Sequence, residues 1–146
     1  MEAGTIERWK RHECRTEQGI FFAAGDVVLL KEAPEGCYES SVRTSIDNLV
    51  AASPDDWFFV DPAGEEIIPG YHIVFGGGSW EGEGFVALER KGALVWILHL
   101  SDKERFTSVR LEGRHLRAVS GEYPDRFSWV IPLDEPEKLR YKKERV

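Results

Sequence analysis

Ala93-Leu-Val-Trp-Ile-Leu-His-Leu100 is the most apolar run in the chain, and it is apolar at odd and even positions alike. A strand with one wet face alternates apolar and polar residues, so a run without alternation reads as a strand buried on both faces. It is far shorter than the roughly 20 residues of a membrane helix. This strand is expected at the centre of the fold.

The flanking sequence makes it part of a meander. Lys91-Gly92 reads as a two-residue turn that pairs Leu88 with Val95 and Val86 with Ile97. Gly113-Arg114 reads as a second turn, pairing Leu111 with Leu116 and Val109 with Ala118. Both registers set apolar against apolar. Phe127, Trp129, Ile131 and Leu133 share one face of a last strand. Asp134-Glu-Pro-Glu137 has the form of a capping box, which predicts a short polar C-terminal helix.

Upstream, Ile20–Phe22 and Asp26–Lys31 read as strands, and Ala33-Pro-Glu-Gly36 breaks the pattern. Val42, Ile46, Leu49 and Val50 form one helical stripe, so residues 40–52 are predicted as a helix capped by Ser40 or Ser41 and ended by Ser53-Pro54. Tyr38, Ser40, Val42, Thr44 and Ile46 also alternate as a strand does, but that reading splits Leu49 and Val50 onto opposite faces. Trp57–Val60 and Tyr71–Phe75 read as strands, with Asp61-Pro-Ala-Gly64 as a turn. Residues 1–19 fit either a short helix or an edge strand. The expectation is one α+β domain over residues 1–146: a curved antiparallel sheet, one packed helix at 40–52 and a short C-terminal helix.

The formal charge is −7, unevenly spread. Residues 20–90 hold thirteen acids and three bases, whereas residues 91–146 hold nine acids and twelve bases. An acidic stretch repels phosphate backbones, which argues against nucleic acid, and it attracts basic proteins. No apolar run is long enough to span a membrane, and the first residues lack a secretory apolar core. Cys14 and Cys37 without such a core read as free thiols, so a cytoplasmic protein is expected.

The most unusual stretch is Gly76-Gly-Gly-Ser-Trp-Glu-Gly-Glu-Gly84. It fits no phosphate-binding pattern, carries Glu81 and Glu83, and runs into a strand instead of a helix. Such glycine density fits a bent or bulged strand entry. Trp80 between acids is the sharper feature, an apolar anchor for a basic partner. His12 and Cys14 form a pair of candidate metal ligands, but zinc needs three or four, and His72, His99 and His115 lie in separate strands. Neither Cys37 nor Ser120 stands in a nucleophile motif. No metal and no cofactor are expected. Arg110 and Arg117 are expected opposite one another, needing Glu112, Glu122 or an anionic partner to neutralise them.

These features predict a non-enzymatic binding protein that docks a basic protein through Trp80, Glu81, Glu83, Asp55, Asp56 and Trp57. Small, acidic, aromatic-rich chains of this kind are common among bacterial immunity and antitoxin-like proteins, which makes a toxin a candidate partner; that is an analogy of type. The rival expectation is a small-molecule pocket or active site inside the curved sheet near Trp96, His99 and Trp129.

Overall fold

The structure, a computed structural model, describes residues 4–78, 83–122 and 124–144. Helix α1 (Thr5–Trp9) and strand β1 (Glu13–Arg15) open it, so residues 1–19 supply both of the alternatives left open. Then come β2 (Gly19–Phe22), β3 (Asp26–Ala33), β4 (Cys37–Ser45), helix α2 (Ile46–Ala52), β5 (Trp57–Ile68) and β6 (Tyr71–Gly78). They are followed by β7 (Gly84–Arg90), β8 (Ala93–Leu100), β9 (Phe106–Glu112), β10 (His115–Ser120), β11 (Phe127–Pro132) and β12 (Arg140–Lys143). The strands form one antiparallel sheet in the order β1-β5-β6-β7-β8-β2-β3-β4-β12-β11-β10-β9. The sheet curls until β9, at its far edge, returns against β5, β6 and β7.

The central strand is β8, paired with β7 on one side and β2 on the other. Its two faces feed two cores. Trp96, Leu98 and Leu100 pack inside the curl with Ile20, Val86, Phe106 and Trp129. Leu94 and Ile97 pack outside it with Trp9, Phe21, Val27, Phe85 and the α2 residues Ile46 and Val50. Burial on both faces is why the run carries no polar alternation.

The α+β expectation holds only in part: the described residues are mostly antiparallel β, with two short α-helices among them. The predicted helix at 40–52 is half strand. Residues 37–45 pair along β3, and α2 begins only at Ile46, where the Ser45 hydroxyl accepts from the Asn48 amide at 3.1 Å. The apolar strand β3 needs an antiparallel neighbour, and that long-range pairing overrides the local helical stripe. It leaves Val42, a member of the stripe, 50 % exposed. The predicted C-terminal helix is a single 3-10 turn at Pro136–Lys138, after which β12 pairs with β11 and touches β4. The predicted turn at Asp61–Gly64 is instead a bulge within β5, between Pro62 and Gly64. Proline is tolerated there because this part of β5 is paired on one side only.

Of the two predicted hairpins, the second has the expected register, Leu111 opposite Leu116 and Val109 opposite Ala118. The first turns at Lys91-Gly92 but shifts register between Leu88 and Glu89, so Leu88 faces Trp96 and Val86 faces Leu98. Val95 is left over, and its carbonyl accepts the Ala23 amide at 3.0 Å. The bulge turns Trp96 and Leu98 toward the inner core.

Candidate functional site

Arg15 builds one end of the sheet. It is 1 % exposed, yet four of its donor directions are used. Its Nε and Nη2 grip the Glu17 carboxylate at 2.9 and 2.6 Å. Its Nη1 donates to the Ser53 carbonyl at 2.8 Å, and Nη2 donates also to the Leu49 carbonyl at 3.3 Å. These carbonyls lie at the C-terminal end of α2, where a cation is favourable. The guanidinium also lies 5.1 Å from the Trp57 ring centre, and Arg8 covers that ring at 4.5 Å. Only a planar, five-donor fork meets all these partners at once. The sequence offered no signal for it, since Arg15 looks like one more charge in a polar segment.

Around this clasp the starts of β5 and β7 adjoin the ends of β6 and β8: Val60 faces Gly78, Gly76 faces Phe85 and Gly84 faces Leu100. The topology thus brings Asp55, Asp56, Trp57, Glu83 and Glu17 to the same end. Asp55 and Asp56 are exposed on the connection from α2 to β5. Trp57 is half-buried under its two arginines. Glu83 turns inward, with its carboxylate beside Gly78 and 3.8 Å from the His99 Nε2. Trp80 and Glu81 lie outside the described residues. Arg105, packed over Gly77, is an exposed base at this end.

The glycine-rich stretch has a packing role in its described part. A Cβ on Gly77 would come within 2.6 Å of the Glu83 carbonyl and of the Arg105 Cβ, and one on Gly84 within 2.6 Å of the Glu104 carbonyl. These two positions let the segment entering β9 cross close over β6 and β7, which closes the curl.

His99 is fully buried on β8. Its Nδ1 lies 2.8 Å from the Glu17 carbonyl, so Nδ1 carries the proton and Nε2 presents a lone pair. That Nε2 has no hydrogen-bond partner among the described residues. The Phe58 ring packs 5.0 Å away. Burial lowers the His99 pKa, opposed by the Glu17 carbonyl and by Glu83, so the imidazole is held neutral. Cys14, nearby and 2 % exposed, has its thiol pushed up by burial and by Glu83 and Glu17. A reactive cysteine requires the opposite shift.

Trp96, Trp129 and His99 do not converge. The two tryptophans share the inner core, with indole N–H groups donating to the Leu133 carbonyl at 3.0 Å and the Ser120 hydroxyl at 2.8 Å. His99 follows Ile97 onto the opposite face of β8. His72 bridges Glu65 and Glu89, 2.6 Å from each, and the Trp9 indole donates to the same Glu89 at 3.0 Å. These carboxylates hold its pKa above the usual value, against a partial desolvation. Among the described residues no group of three or more His, Cys, Asp and Glu side chains is arranged to hold a metal ion. No helix among them is long and apolar enough to cross a membrane. No family model, no curated protein and no solved structure matches this chain.

Proposed function

We propose that the protein is a non-enzymatic binding protein whose acidic end docks a basic protein, in the manner of an immunity or antitoxin-like inhibitor. One observation carries the reading. Asp26, Asp47, Asp55, Asp56 and Asp61, on the side of the sheet where α2 leads into β5, make no ion pair with any described base, whereas most acids outside residues 20–90 do. Unpaired like charges disfavour the compact state by self-repulsion, and a basic partner relieves that cost. Asp55 and Asp56 lead this surface beside the Trp57 clasp. Trp80 supplies the apolar anchor and Glu81 adds charge, while Glu83 supports the end from inside. His72 has both ring nitrogens engaged by carboxylates, and the Cys14 thiol is buried with its pKa raised, which fits binding better than catalysis by either group. Both cysteines are free thiols, in keeping with a reducing compartment such as the cytoplasm.

The test is affinity capture from the source cell with two immobilised baits, the wild-type chain and Asp55→Lys with Asp56→Lys. A basic protein retained by the wild type and lost on the variant supports the reading. Capture of the same proteins by both baits, or of acidic ones only, overturns it.

A further inference from the structure

The geometry points to a second site, of opposite charge, on the outer face of β9–β12: a groove that takes an extended acidic segment of a partner protein, with acids four residues apart around an apolar one. The groove has a volume of about 780 Å³ and is walled on one side by Glu66 of β5. Its floor is set by register. Arg110, Arg117, Val130 and Arg140 stand opposite one another across the four strands, and a second row beside them ends on Lys142. Val119 in that second row and Val130 in the first are half-buried and form an apolar diagonal across the middle of the floor, with Arg117 beside it and Arg110, Arg140 and Lys142 on the end strands.

Four cations on one face are unexpected in a chain of net charge −7. Glu112 answers two of them, at 3.3 Å from Arg110 and 3.7 Å from Arg117. That contact also shows that this pair of guanidinium groups accepts a carboxylate. Arg140 and Lys142 have no ion-pair partner among the described residues. Like charges on neighbouring strands destabilise a sheet unless they are neutralised, so the face is built with an anion deficit.

Spacing selects the ligand. Arg110 and Arg140 are three strands apart, about 14 Å at about 4.8 Å per strand. Residues i and i+4 of an extended peptide are also about 14 Å apart, at about 3.4 Å per residue. A peptide laid across the strands therefore sets acids on the two end cations and residue i+2 over the valines. Nucleic acid fits less well. The aromatic residues along the groove, Trp129 and Tyr141, pack into the inner core, so bases find no stacking surface.

Fluorescence anisotropy of a labelled Glu-Thr-Val-Thr repeat peptide with the full chain tests this. A peptide of the same composition with its glutamates adjacent, and a labelled single-stranded oligonucleotide, serve as comparators. The repeat peptide is expected to bind tightest. Arg140→Gln with Lys142→Gln is expected to weaken it about tenfold, the loss of two exposed ion pairs, while Arg43→Gln on β4 leaves it unchanged. Arg140 and Lys142 are exposed, so the double variant should melt as the wild type does; Arg117→Glu gives an independent second reading. No binding of the repeat peptide, equal binding to the groove variants, or preference for the oligonucleotide each overturns the proposal. These probes are acidic and leave the opposite end of the sheet untouched, so the outcome is separable from that of the basic-partner test.

Discussion

Replacing Arg15 by Met keeps most of its volume and removes its charge. The Glu17 carboxylate loses both bonds of its fork, and the Leu49 and Ser53 carbonyls lose a charged donor each. Breaking a buried ion pair costs about 3–5 kcal/mol. Two details place this case at the lower end. Glu17 is 23 % exposed and can recruit water. Each carbonyl also keeps a backbone donor, Ser53 N–H at 2.9 Å on Leu49 and Asp56 N–H at 3.3 Å on Ser53. A loss of about 3 kcal/mol is expected, from a stability of about 5–15 kcal/mol for a domain of this kind. Urea denaturation of both proteins followed by tryptophan fluorescence measures it, with the slope unchanged if both unfold in two states. Arg15→Lys is expected to recover only part, because an ammonium cannot make the fork. Adding Glu17→Gln to Arg15→Met should cost less than the sum of the two, since it removes the stranded carboxylate. A loss within about 0.5 kcal/mol of zero for Arg15→Met refutes the clasp.

Further outcomes concern the core, the closure of the curl and pH. Trp96→Ala should cost about 3–5 kcal/mol, because a fully buried indole and its bond to the Leu133 carbonyl are lost from the central strand; equilibrium melts check this. Gly84→Ala should destabilise by about 1–3 kcal/mol, since its Cβ meets the Glu104 carbonyl, while Gly4→Ala, with open space around it, should be near neutral in the same melts. His72 has its folded pKa raised by Glu65 and Glu89, so its stabilising contribution is full below the unfolded value of about 6.5 and is lost as pH rises through the higher folded value. The stability difference between wild type and His72→Gln should therefore be largest near pH 5 and shrink with rising pH, as read from thermal melts. His99 has the opposite sign: its pKa is lowered by burial, so its neutral state costs stability as pH falls below about 6.5, and His99→Gln should flatten that acid-side loss.

Much of the sheet is legible in the sequence because its signals are local. The run at Ala93–Leu100 announces two buried faces, and the Gly113 turn fixes a register that holds from His115 to Val119 before it shifts at Ser120. The rest depends on partners distant in the chain. Val42, Ile46, Leu49 and Val50 satisfy a helix stripe, yet the first of them belongs to a strand because β3 needs a neighbour. The shift beside Leu88 follows from Ala23 taking the Val95 carbonyl, which no hairpin rule contains. The candidate site divides in the same way. Asp55 and Asp56 are exposed as their sequence suggests, whereas Trp57 lies under Arg8 and Arg15 and Glu83 turns in against Gly78, where the absence of a side chain leaves room for its carboxylate. The basic groove was visible only as the facing pair Arg110 and Arg117; Arg140 joins the row through a strand that the sequence presents as a helix.

The claim that matters most is that the unpaired acids are a working surface. Association rates of the captured basic partner with wild type and with Asp55→Lys, Asp56→Lys, measured from about 50 to about 500 mM salt, test it most directly. The wild-type rate is expected to fall steeply with salt, and the variant rate to be about tenfold slower at low salt with a shallower salt dependence. Equal rates with equal salt dependence for the two proteins contradict it.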